Sequence, residues 1–145
     1  ANAGDINGDG HSDVIVGAPS GSNAVFIYSG ATGSLLAQLN GAAAGDRFGG
    51  QVANAGDANG DGINDIVIGA TGTTSPTGRT NAGSVYVYSG ATFSQLWRQD
   101  GYKADDLLGY SVDRAGDLLR QFDVVWGTVM LLIRFKRAGR CGGGE

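Results

Sequence analysis

Cysteine occurs once in these 145 residues, at Cys141, so no disulfide can form within the chain. Histidine also occurs once, at His11, which leaves one candidate base for any Ser–His–Asp or Cys–His arrangement. The same scarcity argues against zinc, which draws its ligands mainly from Cys and His. No stretch shows the 3.6-residue periodicity of an amphipathic helix. The longest apolar run, 124–133, is broken by Gly127 and Thr128 and falls short of the roughly 20 residues that a membrane-spanning helix needs. The opening Ala1-Asn2-Ala3-Gly4-Asp5 has neither the charged start nor the apolar run of a leader. Positive charge is sparse, with 10 Lys and Arg against 14 Asp and Glu, and the net charge of −4 argues against a nucleic-acid partner.

What the chain has instead is glycine, 27 residues of it, without the every-third-residue period of collagen. Glycine at this density between short apolar runs fits an all-β chain of many tight turns, and the length suits one ordinary domain. Charge is unevenly placed. Residues 1–116 hold 11 acidic and 5 basic side chains (−6), and residues 117–145 hold 3 acidic and 5 basic (+2).

Internal repetition organises the rest. The segment AGDINGDGHSDVIVGA at 3–18 returns as AGDANGDGINDIVIGA at 55–70, and VFIYSGAT at 25–32 returns as VYVYSGAT at 85–92. The first offset is 52 (57 − 5) and the second is 60 (85 − 25), so the loop 71–84 carries an insertion of 8. Phe48-Gly49 then returns as Leu108-Gly109, and Ala55-Gly56-Asp57 as Ala115-Gly116-Asp117. Three units follow: an incomplete one at 1–47 whose leading strand is missing, a complete one at 48–107, and an incomplete, divergent one at 108–145. Val14-Ile15-Val16 and Ile66-Val67-Ile68 read as strands buried on both faces, Val85 to Tyr88 as a third strand, and 34–39 and 94–98 as fourth strands. Phe48 to Asn54 and Leu108 to Arg114 read as the first strand of the unit that follows. Four strands per repeated unit is the pattern of a propeller blade.

The chemistry lies in two loops. Asp5, Asn7, Asp9 and Asp13 stand at positions 1, 3, 5 and 9 of one, and Asp57, Asn59, Asp61 and Asp65 repeat the spacing in the other. Gly10 and Gly62 hold position 6, where a sharp turn lets the carbonyls of His11 and Ile63 face inward. Calcium takes six to eight oxygens, and alternate residues of a tight loop can aim them at one centre. Three carboxylates against Ca²⁺ leave each site near −1. An EF-hand is excluded, since its position-12 Glu is replaced by Val16 or Ile68. Magnesium, which keeps several waters in a compact octahedron, fits less well. The plainer alternative is a pair of Asn-Gly and Asp-Gly turns joining strands, an alternative weakened by the exact recurrence of four oxygen donors and one glycine.

The form D-x-N-x-D-G-x-x-D, followed by a strand ending Gly17-Ala18-Pro19 and by Phe48-Gly49, resembles the FG-GAP repeat over residues 1–117. That repeat is the blade unit of the integrin α-subunit β-propeller and of many bacterial extracellular proteins. The resemblance implies an all-β fold of four-stranded antiparallel propeller blades, one full and two partial, from a seven-bladed ring. It implies two Ca²⁺ sites: Asp5, Asn7, Asp9, His11 (carbonyl) and Asp13, then Asp57, Asn59, Asp61, Ile63 (carbonyl) and Asp65. The ions would sit on the face opposite the main ligand surface. Gly69-Ala70-Thr71 departs from Gly-Ala-Pro at its last residue only.

The third unit departs further. Asp117 to Asp123 occupies the loop's place without an Asn-Gly-Asp-Gly, and the basic sequence beyond Gly127 matches neither earlier unit. It reads as a truncated blade, a frame-shifted tail or a junction with unrelated sequence. His11 is expected to act through its backbone, Asp46 and Asp105-Asp106 as turn stabilisers, and Trp97, Tyr86 and Tyr88 as packing between blades. No catalytic set emerges. The function expected is a non-enzymatic, calcium-stabilised interaction or adhesion module at the cell surface or outside the cell. Its partners would be a protein or extracellular-matrix ligand and the remaining blades of a larger propeller. The alternative is an accessory or scaffold segment of a secreted enzyme.

Overall fold

A computed structural model describes residues 1–113 and two short strands further on. The first sheet has the order β1 (Asn2–Gly4), β2 (Asp13–Ala18), β3 (Ala24–Tyr28) and β4 (Leu35–Asn40). The second repeats it with β5 (Phe48–Gly56), β6 (Asp65–Ala70), β7 (Ser84–Tyr88) and β8 (Gln95–Asp100). All pairings within the two sheets are antiparallel between sequence neighbours, and no described residue is helical. Strands β9 (Val124–Val125) and β10 (Met130–Leu131) form a separate antiparallel pair. These are two tandem four-stranded blades of propeller type.

Three expectations change. The first unit does possess a leading strand, since Asn2 pairs with Val14 and Gly4 with Asp13. Three residues suffice because these pairings repeat those of Asn54 and Gly56 with Ile66 and Asp65, including the same irregularity. Leu108 to Asp113 forms no strand; Leu108 makes one isolated parallel bridge to Gly83. Residues 114–123, with the expected third loop, and Cys141 lie outside the described residues.

The third change concerns β2. Register places Val14 and Val16 opposite Tyr28 and Phe26 on one face of the first sheet, and Ile15 opposite Ile27 on the other. Successive strand residues face opposite ways, so each sheet offers two apolar faces. Ile15, Val25, Ile27 and Leu39 pack with Phe48 against Ile66, Ile68 and Tyr86 of the second sheet. On the second sheet's far face, Val67, Val85 and Val87 pack with Leu108 and Val112, flanked by Trp97. Strand β6 is therefore buried on both faces as expected, whereas Val14 and Val16 of β2 are 43% and 42% exposed. Their sheet is covered on one side only, and β-branched sequence alone cannot reveal which side.

The repeated Gly of Phe-Gly and of Gly-Ala-Pro meet where the sheets touch. A Cβ on Gly17 would collide with the carbonyl oxygen of Gly49, and one on Gly69 with that of Gly109. Gly49 has φ +84°, a left-handed conformation costly to other residues, and a Cβ there would stand 2.8 Å from Val25 Cγ2. Phe48 fills the space beside it, edge-on to Tyr86 at 5.3 Å and Tyr88 at 6.1 Å between ring centroids. Full burial of such a ring contributes about 1.5–3 kcal/mol.

Gly17→Ala is expected to destabilise the chain by about 2–4 kcal/mol, because its obstacle is backbone that cannot rotate away. Gly33→Ala, with φ +72° but open space around the added carbon, should lose only about 1 kcal/mol. Urea unfolding of the two variants checks this; equal losses would remove the close-approach account.

Candidate metal loops

Both loops leave the first strand of a sheet and return as its second, at the end of the sheet that also carries the β3–β4 or β7–β8 turn. In the first loop Asp5 Oδ1 accepts N–H bonds from Gly8 (2.7 Å) and Asp9 (3.1 Å), and Oδ2 accepts one from Gly10 (2.8 Å). Asn7 Oδ1 accepts the Asp9 N–H at 2.9 Å, and Asp9 Oδ1 accepts the His11 N–H at 2.8 Å. The second loop repeats these bonds. Asp57 takes Gly60, Asp61 and Gly62, Asn59 takes Asp61, and Asp61 takes Ile63, all between 2.7 and 3.0 Å. Gly10 and Gly62 have φ of +87° and +89°, the left-handed turn that position 6 was expected to supply.

The last Asp of each loop does something different. Asp13 and Asp65 are buried, each reaching across to a turn. Asp13 Oδ2 accepts the Ile6 N–H at 3.0 Å while Oδ1 accepts that of Gly30 at 3.0 Å. Asp65 does the same with Ala58 (2.7 Å), Asn59 (3.2 Å) and Gly90 (3.0 Å). Each carboxylate thus ties its loop to the Ser-Gly-Ala-Thr turn of the same sheet. Gly30 and Gly90 are needed there, since a Cβ on either would strike the carbonyl oxygen of Ser12 or Asn64.

Electrostatics set Asp9 of the first loop apart from Asp65 of the second. Hydrogen bonds from the Asn7 side chain and the His11 backbone hold the Asp9 carboxyl below the usual range. Burial pushes the Asp65 carboxyl up, opposed by the N–H groups of Gly90, Ala58 and Asn59. A further contact, Ser29 Oγ to Asp9 Oδ2 at 3.2 Å, links the first loop to its turn a second time. The repetition of Ser-Gly-Ala-Thr at 29–32 and 89–92 gave no sign that Gly30, Gly90 and Ser29 would serve the acidic loops.

Each loop brings its Asp, Asn and Asp at positions 1, 3 and 5 into one hydrogen-bonded set, with position 9 on the buried side. Among the described residues, no three His, Cys, Asp or Glu side chains converge as a metal-holding group. The oxygens each loop brings together are nonetheless carboxylate and amide, the chemistry of a hard cation. Two of the other acidic candidates behave as turn stabilisers: Asp46 Oδ2 accepts the Ala43 N–H at 2.9 Å, and Asp106 Oδ2 that of Lys103 at 2.7 Å, whereas Asp105 Oδ1 accepts from the distant Asn81 side chain.

Tandem four-stranded blades with an acidic hairpin loop apiece define a β-propeller repeat. Residues 5–68 match the family model of the FG-GAP-like repeat. The chain is 42% identical to integrin alpha-4 of Xenopus laevis over 100 residues, covering 61% of this chain and 9% of that one. It is 31% identical to integrin alpha-PS2 of Drosophila melanogaster over 126 residues, covering 79% of this chain and 9% of the relative. Integrin alpha-V of Gallus gallus is 33% identical over 99 residues, covering 59% and 9%. The chain is an FG-GAP repeat protein of the integrin α type, spanning about a tenth of the length of these relatives.

With a chelator present, Asp65→Ala is expected to cost about 2–4 kcal/mol, because each buried N–H left without an acceptor costs about 1–3 kcal/mol. Asp61→Ala, at an exposed position, should lie within about 1 kcal/mol of the parent. Denaturant unfolding of both variants is the check, and equal losses would contradict the division between buried tie and exposed rim.

Proposed function

We propose that the chain is a calcium-stabilised FG-GAP propeller segment, serving as a non-enzymatic interaction or adhesion module outside the cell or at its surface. The observation that carries this reading is the duplication of the loops. The same oxygen donors recur at positions 1, 3, 5 and 9, held by the same backbone bonds, in two sheets packed face to face. A turn needing only to reverse the chain would not require three carboxylates and an amide twice over.

In this reading Asp5, Asn7, Asp9, the His11 carbonyl and Asp13 would hold one ion. Asp57, Asn59, Asp61, the Ile63 carbonyl and Asp65 would hold the other. Bound calcium supplies a double positive charge that offsets the repulsion among three carboxylates. Asp5 and Asp57 organise the loop by capping three N–H groups each. Asp13 keeps one N–H bond on each oxygen, and Asp65 keeps one on Oδ1 and two on Oδ2; an oxygen with a single such bond retains acceptor capacity. Two of the bonds to Asp9 come from the Asn7 and Ser29 side chains, which can turn to other partners at small cost.

Likeness to integrin alpha-4, alpha-PS2 and alpha-V supports an extracellular setting and a role in contact rather than catalysis. The partners in that role are a protein or extracellular-matrix ligand and further blades, the latter consistent with the apolar face of Val14, Val16, Phe26 and Tyr28. No described helix is long and apolar enough to cross a membrane.

Calcium at millimolar concentration is expected to raise the melting temperature, since extracellular calcium sites often bind at about 10⁻⁴ to 10⁻³ M. Calorimetric titration should count two ions per chain. Asp9→Ala combined with Asp61→Ala should abolish both the heat and the thermal shift. Absence of heat and of any shift in the parent chain would end the calcium reading.

A further inference from the structure

Loop position 2 was not among the residues that the sequence singled out. Ile6 stands between Asp5 and Asn7, yet it is 6% exposed and belongs to the core shared by the two sheets, with Ile66, Ile68 and Tyr86. Its backbone N–H is the one that Asp13 accepts. Its Cγ2 lies 3.3 Å from where a Cβ on Gly90 would be, so it rests on the β7–β8 turn of the neighbouring sheet. That turn is in turn held to the second loop by Asp65. Gly90 is buried under this contact, whereas Gly30, its counterpart in the first sheet, is exposed. Two more contacts cross at the same place: Asn54 Nδ2 donates to the Ala3 carbonyl at 2.9 Å, and Asn64 packs against Gly4.

We propose that Ile6 is the positioning residue through which an ion in the first loop tightens the contact between the two sheets, a role that rests on the calcium reading above. The oxygen donors at 5 and 7 flank Ile6, so fixing them fixes the backbone that aims Ile6 away from the loop and into the shared core. An unliganded loop must restrain that backbone at the moment of docking, at about 1–2 kcal/mol per residue ordered. A liganded loop has met that cost already. The coupling is reciprocal, so a well-packed Ile6 also raises the affinity of the first loop. The second loop has Ala58 at this position, packed against the other core cluster. Its shorter side chain makes the device specific to the first loop.

The test uses the full chain carrying Asp61→Ala, which leaves one complete loop, with hydrogen exchange read by mass spectrometry and calcium binding read by calorimetry. Calcium is expected to slow exchange in 66–68 and 84–88 of the second sheet by about fivefold or more, the lower end of ordinary coupling. Adding Ile6→Ala should abolish that slowing while heat of calcium binding persists. Ile6→Val, which loses one methylene, should give an intermediate slowing. Slowing that survives Ile6→Ala overturns the proposal, as does unchanged slowing in Ile6→Val should Ile6→Ala fail to fold. Heat without slowing when Ile6 is intact also overturns it and leaves the calcium reading standing. No heat, in this background or in the parent, ends both.

Discussion

Everything else in this protein depends on how closely one sheet can lie against the next. A four-stranded sheet with two apolar faces gains stability from each face that a neighbour covers. Here the covering sheet approaches until backbone meets backbone at Gly17 and Gly49, a distance that no side chain at either position permits. The close approach brings Ile15, Val25 and Ile27 into contact with Ile66, Ile68 and Tyr86, and lets Phe48 seat between the sheets. The two short motifs that give the repeat its character, Phe-Gly and Gly-Ala-Pro, are thus two sides of one steric contact. Their recurrence as Gly69 against Gly109 shows the same solution in use at the next junction.

The acidic loops are tied into this packing. Asp13 and Asp65 place carboxylates where water does not reach and satisfy them with N–H groups from loop and turn, so that the loop, the turn and the second strand are bonded together. Asp5, Asn7 and Asp9, and their copies in the second loop, remain toward solvent. In the calcium reading proposed above, Asp13 and Asp65 would serve the ion and the turn together, and the positions toward solvent would complete its shell. That arrangement suits an ion that stabilises the packing of the module better than one that switches it between two states.

Much of the fold was legible because a repeat is its own control. Seven of the eight strands of the two sheets, their antiparallel order and the acidic positions follow from the internal repeat, of which 3–18 against 55–70 and 25–32 against 85–92 are the clearest parts. Boundaries shifted by one or two residues where bulges occur, as between Ile27 and Tyr28 and again between Val87 and Tyr88. The three-residue β1 was missed because Asn2-Ala3-Gly4 lacks the β-branched content of a strand and pairs through backbone alone. The exposure of Val14 and Val16 was missed because an apolar face reads the same whether or not a neighbour covers it.

The oxygen-donor loops were determined by the sequence itself, since the identity and spacing of Asp5, Asn7, Asp9 and Gly10 are local facts that act within a few bonds. What only the tertiary structure decided is which loop residues stay at the surface and which are also held to distant partners. Asp13 and Ile6 both sit in the first loop, yet one is bound to a turn 17 residues away and the other packs on a neighbouring sheet. Those partners are distant along the chain and become neighbours only when strands pair and sheets stack. Spacing within a motif carries no record of them.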